Sequence, residues 1–263
     1  MVNGQWRNGR VDAGGTTIMM TDMLMMMPCA STLSLMLKMD AAGFVIVALL
    51  FGGSVYAWSI MLSKFIFLKA ARNESLAFLR RYRALQHPAE LYLGDSQRAR
   101  LAPLQAVYDQ ACAALEAVLN VQGIEAERLY ADGGLSRVPL SDRQIRSVQN
   151  AAERMVADQA LVLESSVGYL ASAASMAPFL GLLGTVMGVM SAFGSMAGSG
   201  SALLSEVAPG ISSALLTTVV GLFVALPSSV GYNILSDRVR QLTVMMDNFS
   251  QELVGDLERV HVS

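Results

Sequence analysis

Between Glu164 and Asp237 the only formally charged side chain is Glu206. No surface loop of a soluble domain stays uncharged over such a length. Two apolar runs fill the stretch, one from about Ser172 to Met196 and one from about Pro209 to Tyr232, separated by the hairpin Gly198-Ser199-Gly200-Ser201. Each is long enough to cross a bilayer, which takes about 20 apolar residues. A third uncharged run lies between Asp40 and Lys64. The whole chain is 53% hydrophobic and 15% charged, where soluble domains average about 45–50% and ~25%. Nearly all the charge lies outside the three runs. The expectation is an all-α integral membrane protein with three transmembrane helices and long cytoplasmic helical extensions.

Other classes fall away on the same grounds. A net charge of −2 gives no reason to invoke nucleic acid. The arginines between Lys64 and Glu164 are interleaved with Glu and Asp, as on solvated helix faces. Cys29 and Cys112 match no metal or redox spacing, so no disulfide framework, metal site or cofactor is expected. No nucleophile–base pair or phosphate loop marks an enzyme.

The chain divides by composition into residues 1–38, an N-terminal extension; 39–64, transmembrane helix 1; 65–165, a cytoplasmic helical loop; 166–235, transmembrane helices 2 and 3 with their hairpin; and 236–263, a C-terminal helix. The extension crowds Met19, Met20, Met23, Met25, Met26 and Met27 around Asp22. Two readings stand, a signal peptide without a convincing cleavage site and a true start at Met36 or Met39. Lys64, Lys69 and Arg72 follow helix 1, Arg238 and Arg240 follow helix 3, and the hairpin has no Lys or Arg. The positive-inside rule then puts the N-terminus and hairpin outside, and the loop and tail in the cytoplasm. In the loop, Leu76, Leu79, Tyr82 and Leu85 recur at helical spacing, and breaks are expected at His87-Pro88 and at Asp132-Gly133-Gly134 with Pro139. Ser141, Asp142 and Gln144 predict a helix start, with that helix running on into the membrane. Val239, Leu242, Met246, Phe249, Leu253 and Leu257 predict an amphipathic tail helix packed on the loop helices.

Within the membrane runs, Gly181, Thr185, Gly188, Ala192 and Ser195 recur at intervals of four and three, as do Ala214, Thr218, Gly221, Ala225 and Ser228. Each set occupies one helix face. Leu182, Val186, Val189 and Phe193, with Leu216, Val220, Phe223 and Val224, are expected on the opposite faces. Pro178 and Pro209 stand near helix starts, and Pro227 is expected to kink helix 3. Small-residue spacing such as Gly184-x-x-x-Gly188 also serves close helix packing, and a threonine hydroxyl can bond a carbonyl one turn back. Spacing alone therefore leaves packing and conduction both open.

Gly181-Leu-Leu-Gly-Thr185-Val-Met-Gly188, Val207-Ala-Pro-Gly-Ile211, Ala214-Leu-Leu-Thr-Thr218-Val-Val-Gly-Leu222 and Ala225-Leu-Pro227 together resemble the MotA/TolQ/ExbB family of proton-channel subunits, closest to TolQ and ExbB. The resemblance covers roughly Gly43 to Glu258. It implies a homopentamer around single-pass partners of the TolR/ExbD type, a TonB- or TolA-type protein beyond them, and an inner-membrane location. It also implies that Thr185 and Thr218 line the ion path, with Thr217 and Ser213 beside them. Many relatives have a glutamate where this chain has Ser213. No Asp, Glu, His, Lys or Arg lies within the proposed spans. Hydroxyls orient water but do not hold a proton at a useful pKa, so a partner's intramembrane Asp is expected to carry it. A non-conducting membrane scaffold is the alternative.

Overall fold

The computed structural model describes residues 40–84, 92, 102–121, 140–199 and 204–261. The N-terminal extension, His87-Pro88, the 132–139 break and the tip of the hairpin lie outside the described residues. Among the described residues five helices follow in order: α1 (Ala41–Tyr82), α2 (Pro103–Val121), α3 (Asp142–Glu164), α4 (Val167–Ser199) and α5 (Leu204–His261). No strand occurs among the described residues. Three helices, α1, α4 and α5, hold segments of mean hydropathy 2.0, 1.7 and 1.9 and are long and apolar enough to cross a membrane. Their outward side chains are those a lipid surface calls for, among them Phe44, Leu49, Phe51 and Leu62 on α1 and Leu215, Val219, Phe223 and Leu226 on α5.

The described residues fall into two compact units. One comprises α1 as far as Leu50 together with Ala177–Phe223, and it holds the candidate site. The other comprises Phe51–Met176 together with α5 from Val224 onward. Its core is apolar and aromatic. α2 packs on α3, burying Leu104, Val107, Ala111 and Leu115 with Ile145, Val148, Ala152 and Val156. The tail stripe of α5 joins this core in full, since Val239, Leu242, Met246, Phe249, Leu253 and Leu257 are all buried. Phe249 meets Tyr82 edge-on, with ring centroids 5.1 Å apart, and Phe78 at 5.6 Å. Aromatic pairs in this geometry add about 0.5–1.5 kcal/mol beyond area burial. The Tyr82 hydroxyl donates to Asp256 at 2.9 Å. Burial, then that carboxylate, push the phenol pKa up, so it stays a donor.

The structure departs from the sequence expectations at four places. The inward stripe of α1 is Leu68, Ala71, Ser75, Phe78 and Tyr82, while Leu76 is exposed. Tyr82 is buried as the spacing predicts and Leu79 packs half-buried against this core, while Ala71 and Ser75, too small for an apolar search to mark, complete the inner face. α3 starts where expected, and Gln144 Oε1 accepts from the Ser141 N–H at 2.9 Å, the reciprocal half of a capping box. It does not run into the membrane helix. It stops at Glu164, and Ser166 takes the left-handed conformation at φ 67°, uncommon outside glycine. Lys64 Nζ lies 2.9 Å from Ser165 Oγ and 3.4 Å from Val162 O, serving the carbonyl end of α3 where a cation is favoured. α4 then begins at Val167 rather than near Ser172, which puts Pro178 well inside it. α5 opens at Leu204, so Pro209 falls in its second turn rather than at its start.

Candidate functional site: a hydroxyl seam between two membrane helices

α4 and α5 approach closely enough that backbone meets backbone at Gly181 and Gly221. A Cβ built on Gly181 would stand 2.9 Å from Thr217 O, and one on Gly221 would stand 2.6 Å from Ala177 O. On Gly184 it would meet the Thr217 hydroxyl at 2.6 Å, and on Gly188 the Ala214 Cβ at 2.7 Å. Real side chains do not tolerate such distances, so glycine is required here for proximity. This is the small-residue mode of helix packing in membranes.

Three threonines fill the seam. Thr217 is fully buried, and its Oγ1 lies 2.9 Å from Gly181 O and 2.7 Å from Ala214 O. The hydroxyls of Thr185 and Thr218 are in direct hydrogen-bond contact. Thr185 Oγ1 also lies 3.1 Å from Ala214 O and 3.2 Å from Gly181 O, while Thr218 Oγ1 lies 3.1 Å from Gly181 O. Thr185 Oγ1 and Thr217 Oγ1 are 3.4 Å apart. The three hydroxyls thus share two backbone carbonyls, one from each helix. A hydroxyl both donates and accepts, so the set can reverse its direction of donation without moving a heavy atom.

Beside the seam is a cleft of about 270 Å³, lined by Gly184, Gly188, Ser191, Ser195, Ser213 and Thr217 among others, with Asp40 the one titratable side chain among the described residues of its wall. Ser213 is buried and its hydroxyl donates to Gly210 O at 2.9 Å. It faces the cleft and does not join the threonine cluster. Asp40 Oδ1 accepts from the Ala41 N–H at 2.9 Å, the first of the N–H groups at the start of α1 that have no partner within the helix. Sequence reasoning missed Asp40, taking it only as the edge of an uncharged run. An N-cap carboxylate ahead of a membrane helix was the available signal.

Of the other expected residues, Gly181, Gly184, Gly188, Ala214 and Gly221 belong to the seam. Ala225 is buried outside the threonine cluster, and the Ser228 hydroxyl turns back to Val224 O at 2.7 Å. Ala177 and Gly210, not singled out in the sequence, are close-packing positions. On the outer faces Leu182, Val186, Phe193 and Phe223 are exposed as expected, while Val224 is buried and Leu216 and Val220 are half-buried. The lipid-facing line of α5 is instead Leu215, Val219, Leu222, Phe223 and Leu226. Among the described residues, no group of His, Cys, Asp and Glu converges to hold a metal.

Three helices long and apolar enough to cross a bilayer, two of them joined by a glycine-and-threonine seam beside a hydroxyl-lined cleft, define a polytopic membrane protein. Residues 122–248 match the family described as the MotA/TolQ/ExbB proton channel family. The Tol-Pal system protein TolQ of Haemophilus influenzae is 31% identical over 227 residues, 86% of this chain and 93% of the relative. The TolQ of Pseudomonas aeruginosa is 37% identical over 123 residues, 46% of this chain and 53% of its own. The biopolymer transport protein ExbB of Salmonella typhimurium is 42% identical over 87 residues, 33% and 36% of the two chains. The chain belongs to the MotA/TolQ/ExbB family, and with its three apolar helices it is an inner-membrane protein.

Proposed function

We propose that this chain is the proton-path subunit of an inner-membrane energy-transducing complex. It works in a homopentameric ring around a single-pass partner of the TolR/ExbD type, which supplies an intramembrane aspartate. Work passes on, through a TonB- or TolA-type protein, to transport at the outer membrane or to envelope integrity. The observation that carries the reading is the cluster of Thr185, Thr217 and Thr218, in which the Thr185 hydroxyl is within hydrogen-bond reach of both others beside a cleft lined by serines. Such a set relays hydrogen-bond direction but stores no proton, which is why the carrier belongs to the partner. Each charge crossing the membrane delivers about 2.3 kcal/mol per 100 mV. The basic residues after helices 1 and 3 favour a periplasmic N-terminus with loop and tail in the cytoplasm.

A second reading, a scaffold that assembles partners without conducting, draws on the same cluster. Every hydroxyl in it has a carbonyl acceptor within the hairpin, as packing alone would arrange. Proton flux into vesicles holding this chain, with and without a TolR/ExbD-type partner, separates the two. Under the first reading Thr185→Val and Thr218→Val each abolish partner-dependent flux while the oligomer still assembles. Normal flux in both variants sinks the conduction role.

A further inference from the structure

The exposed apolar band of α1 ends at Phe65 and Ile66, and that of α5 ends near Ile234. Directly beyond, in the same compact unit, a cleft of about 280 Å³ opens between the two helices. Its wall carries Lys69, Arg72 and Arg238, the amides of Asn73 and Gln241, and Phe65 at the apolar edge. Among the described residues no carboxylate lines it. Glu74 and Asp237, adjacent in sequence to two of these residues, are not part of the wall. The Arg238 guanidinium lies over the Phe65 ring, 4.0 Å from its centroid, which holds one cation at the boundary between apolar and polar surface.

We propose that this cleft binds the phosphate headgroup of an anionic phospholipid, with the acyl chains lying along Phe65, Ile66 and the apolar band above them. The charge is complementary, since two guanidiniums and an ammonium converge where an anion would neutralise their repulsion. Arginine matches phosphate oxygens with paired N–H donors, and the two amides add neutral donors. The position selects lipid over free phosphate: the cations sit at the end of a lipid-facing band, at headgroup depth, and not in the soluble core. Basic residues at that level attract anionic lipid. The proposal does not depend on the ion path, and failure of either leaves the other standing.

The test is native mass spectrometry of the purified full chain equilibrated with equimolar phosphatidylglycerol and phosphatidylcholine. The wild-type protein is expected to retain phosphatidylglycerol in preference by about fivefold or more, the order set by several interfacial cations. The triple change Lys69→Gln, Arg72→Gln and Arg238→Gln brings the ratio to about one if those cations hold the headgroup. The charge-matched change Arg143→Gln, Arg146→Gln and Arg154→Gln, outside the cleft, leaves it at the wild-type value. Should the first triple variant lose its helical circular dichroism, Arg72→Gln alone, at an exposed position, is expected to lower the ratio part of the way. No preference in the wild type, equal loss in the control, or an unchanged ratio in Arg72→Gln overturns the site. Displacement of bound lipid by excess inorganic phosphate overturns the lipid as its occupant.

Discussion

Gly221→Ala adds one methyl where α5 passes the backbone of α4. Its Cβ would stand 2.6 Å from Ala177 O and 3.2 Å from Gly181 Cα. A carbon settles against a carbonyl oxygen at about 3.3 Å or more, so the two backbones must separate by about 0.7 Å. Neither neighbour is a flexible side-chain tip that can swing away. The same retreat stretches the 2.9 Å contact between Thr217 Oγ1 and Gly181 O. Overpacking of this kind costs about 1–3 kcal/mol. Alanine also gains up to about 1 kcal/mol of helix propensity over glycine, which would blur a single measurement. Gly194→Ala cancels that gain, because it lies in α4 with nothing within 4 Å of its added Cβ. Both variants are to be unfolded reversibly by sodium dodecyl sulfate in mixed micelles, followed by far-ultraviolet circular dichroism. Gly221→Ala should be less stable than Gly194→Ala by about 1–3 kcal/mol. Equal midpoints for the two would refute a backbone-to-backbone seam.

Met246 is wholly buried among the loop helices, so Met246→Ala should cost about 2–5 kcal/mol, while Val244→Ala, at an exposed position, should stay within about 0.5 kcal/mol. Thermal unfolding of the two variants compares them. Arg83 Nε and Glu252 Oε1 pair at 2.8 Å with side chains 59% and 30% exposed, so Glu252→Gln should cost at most about 1 kcal/mol at neutral pH. The Arg83 hydrogen bond holds the Glu252 carboxyl below its ordinary 4.5. A depressed folded pKa stabilises above the unfolded value and is lost as pH falls through the folded one. The gap between wild type and Glu252→Gln, measured as a function of pH, should therefore narrow below about 4.5 and stay flat above it. Burial pushes the Cys112 thiol up to about 12. In a Cys29→Ser background, maleimide at neutral pH should label Cys112 only after denaturation, and prompt labelling of the native protein would contradict its place in the core.

The parts of this fold that follow from one helix surface were legible in the sequence. The tail stripe from Val239 to Leu257 reads cleanly because the rest of that helix surface is polar, so periodicity alone marks the buried side. In the membrane helices the same signal fails, since lipid accepts apolar residues on every face. There the inward face is marked by smallness, as at Ala177, Gly181, Gly210 and Gly221. The threonines were found through motif resemblance as much as spacing. That Thr217 is more buried than Thr218 depends on which side of α5 meets α4, a tertiary fact. The stop at Ser165–Ser166 has no glycine or proline to announce it, and it needs Lys64 from a distant stretch to serve the exposed carbonyls. The cleft beneath Asp40 is made by three chain segments that no local pattern connects.

The break before α4 and the lack of one in α5 set different rules for insertion and deletion. Along an uninterrupted helix each residue turns the next by about 100°. In α5 the angular phase of the buried Leu235 is locked to that of Leu242 and Met246 by the number of residues between them. One residue added there would swing Leu235 a quarter-turn or more from the tail stripe and set the two at odds. The α3–α4 junction carries no such lock, because the left-handed turn at Ser166 resets the phase. Length changes in α3 can be absorbed at that turn without rotating Leu170, whereas in the tail half of α5 the tolerated changes should come in sevens, about two whole turns.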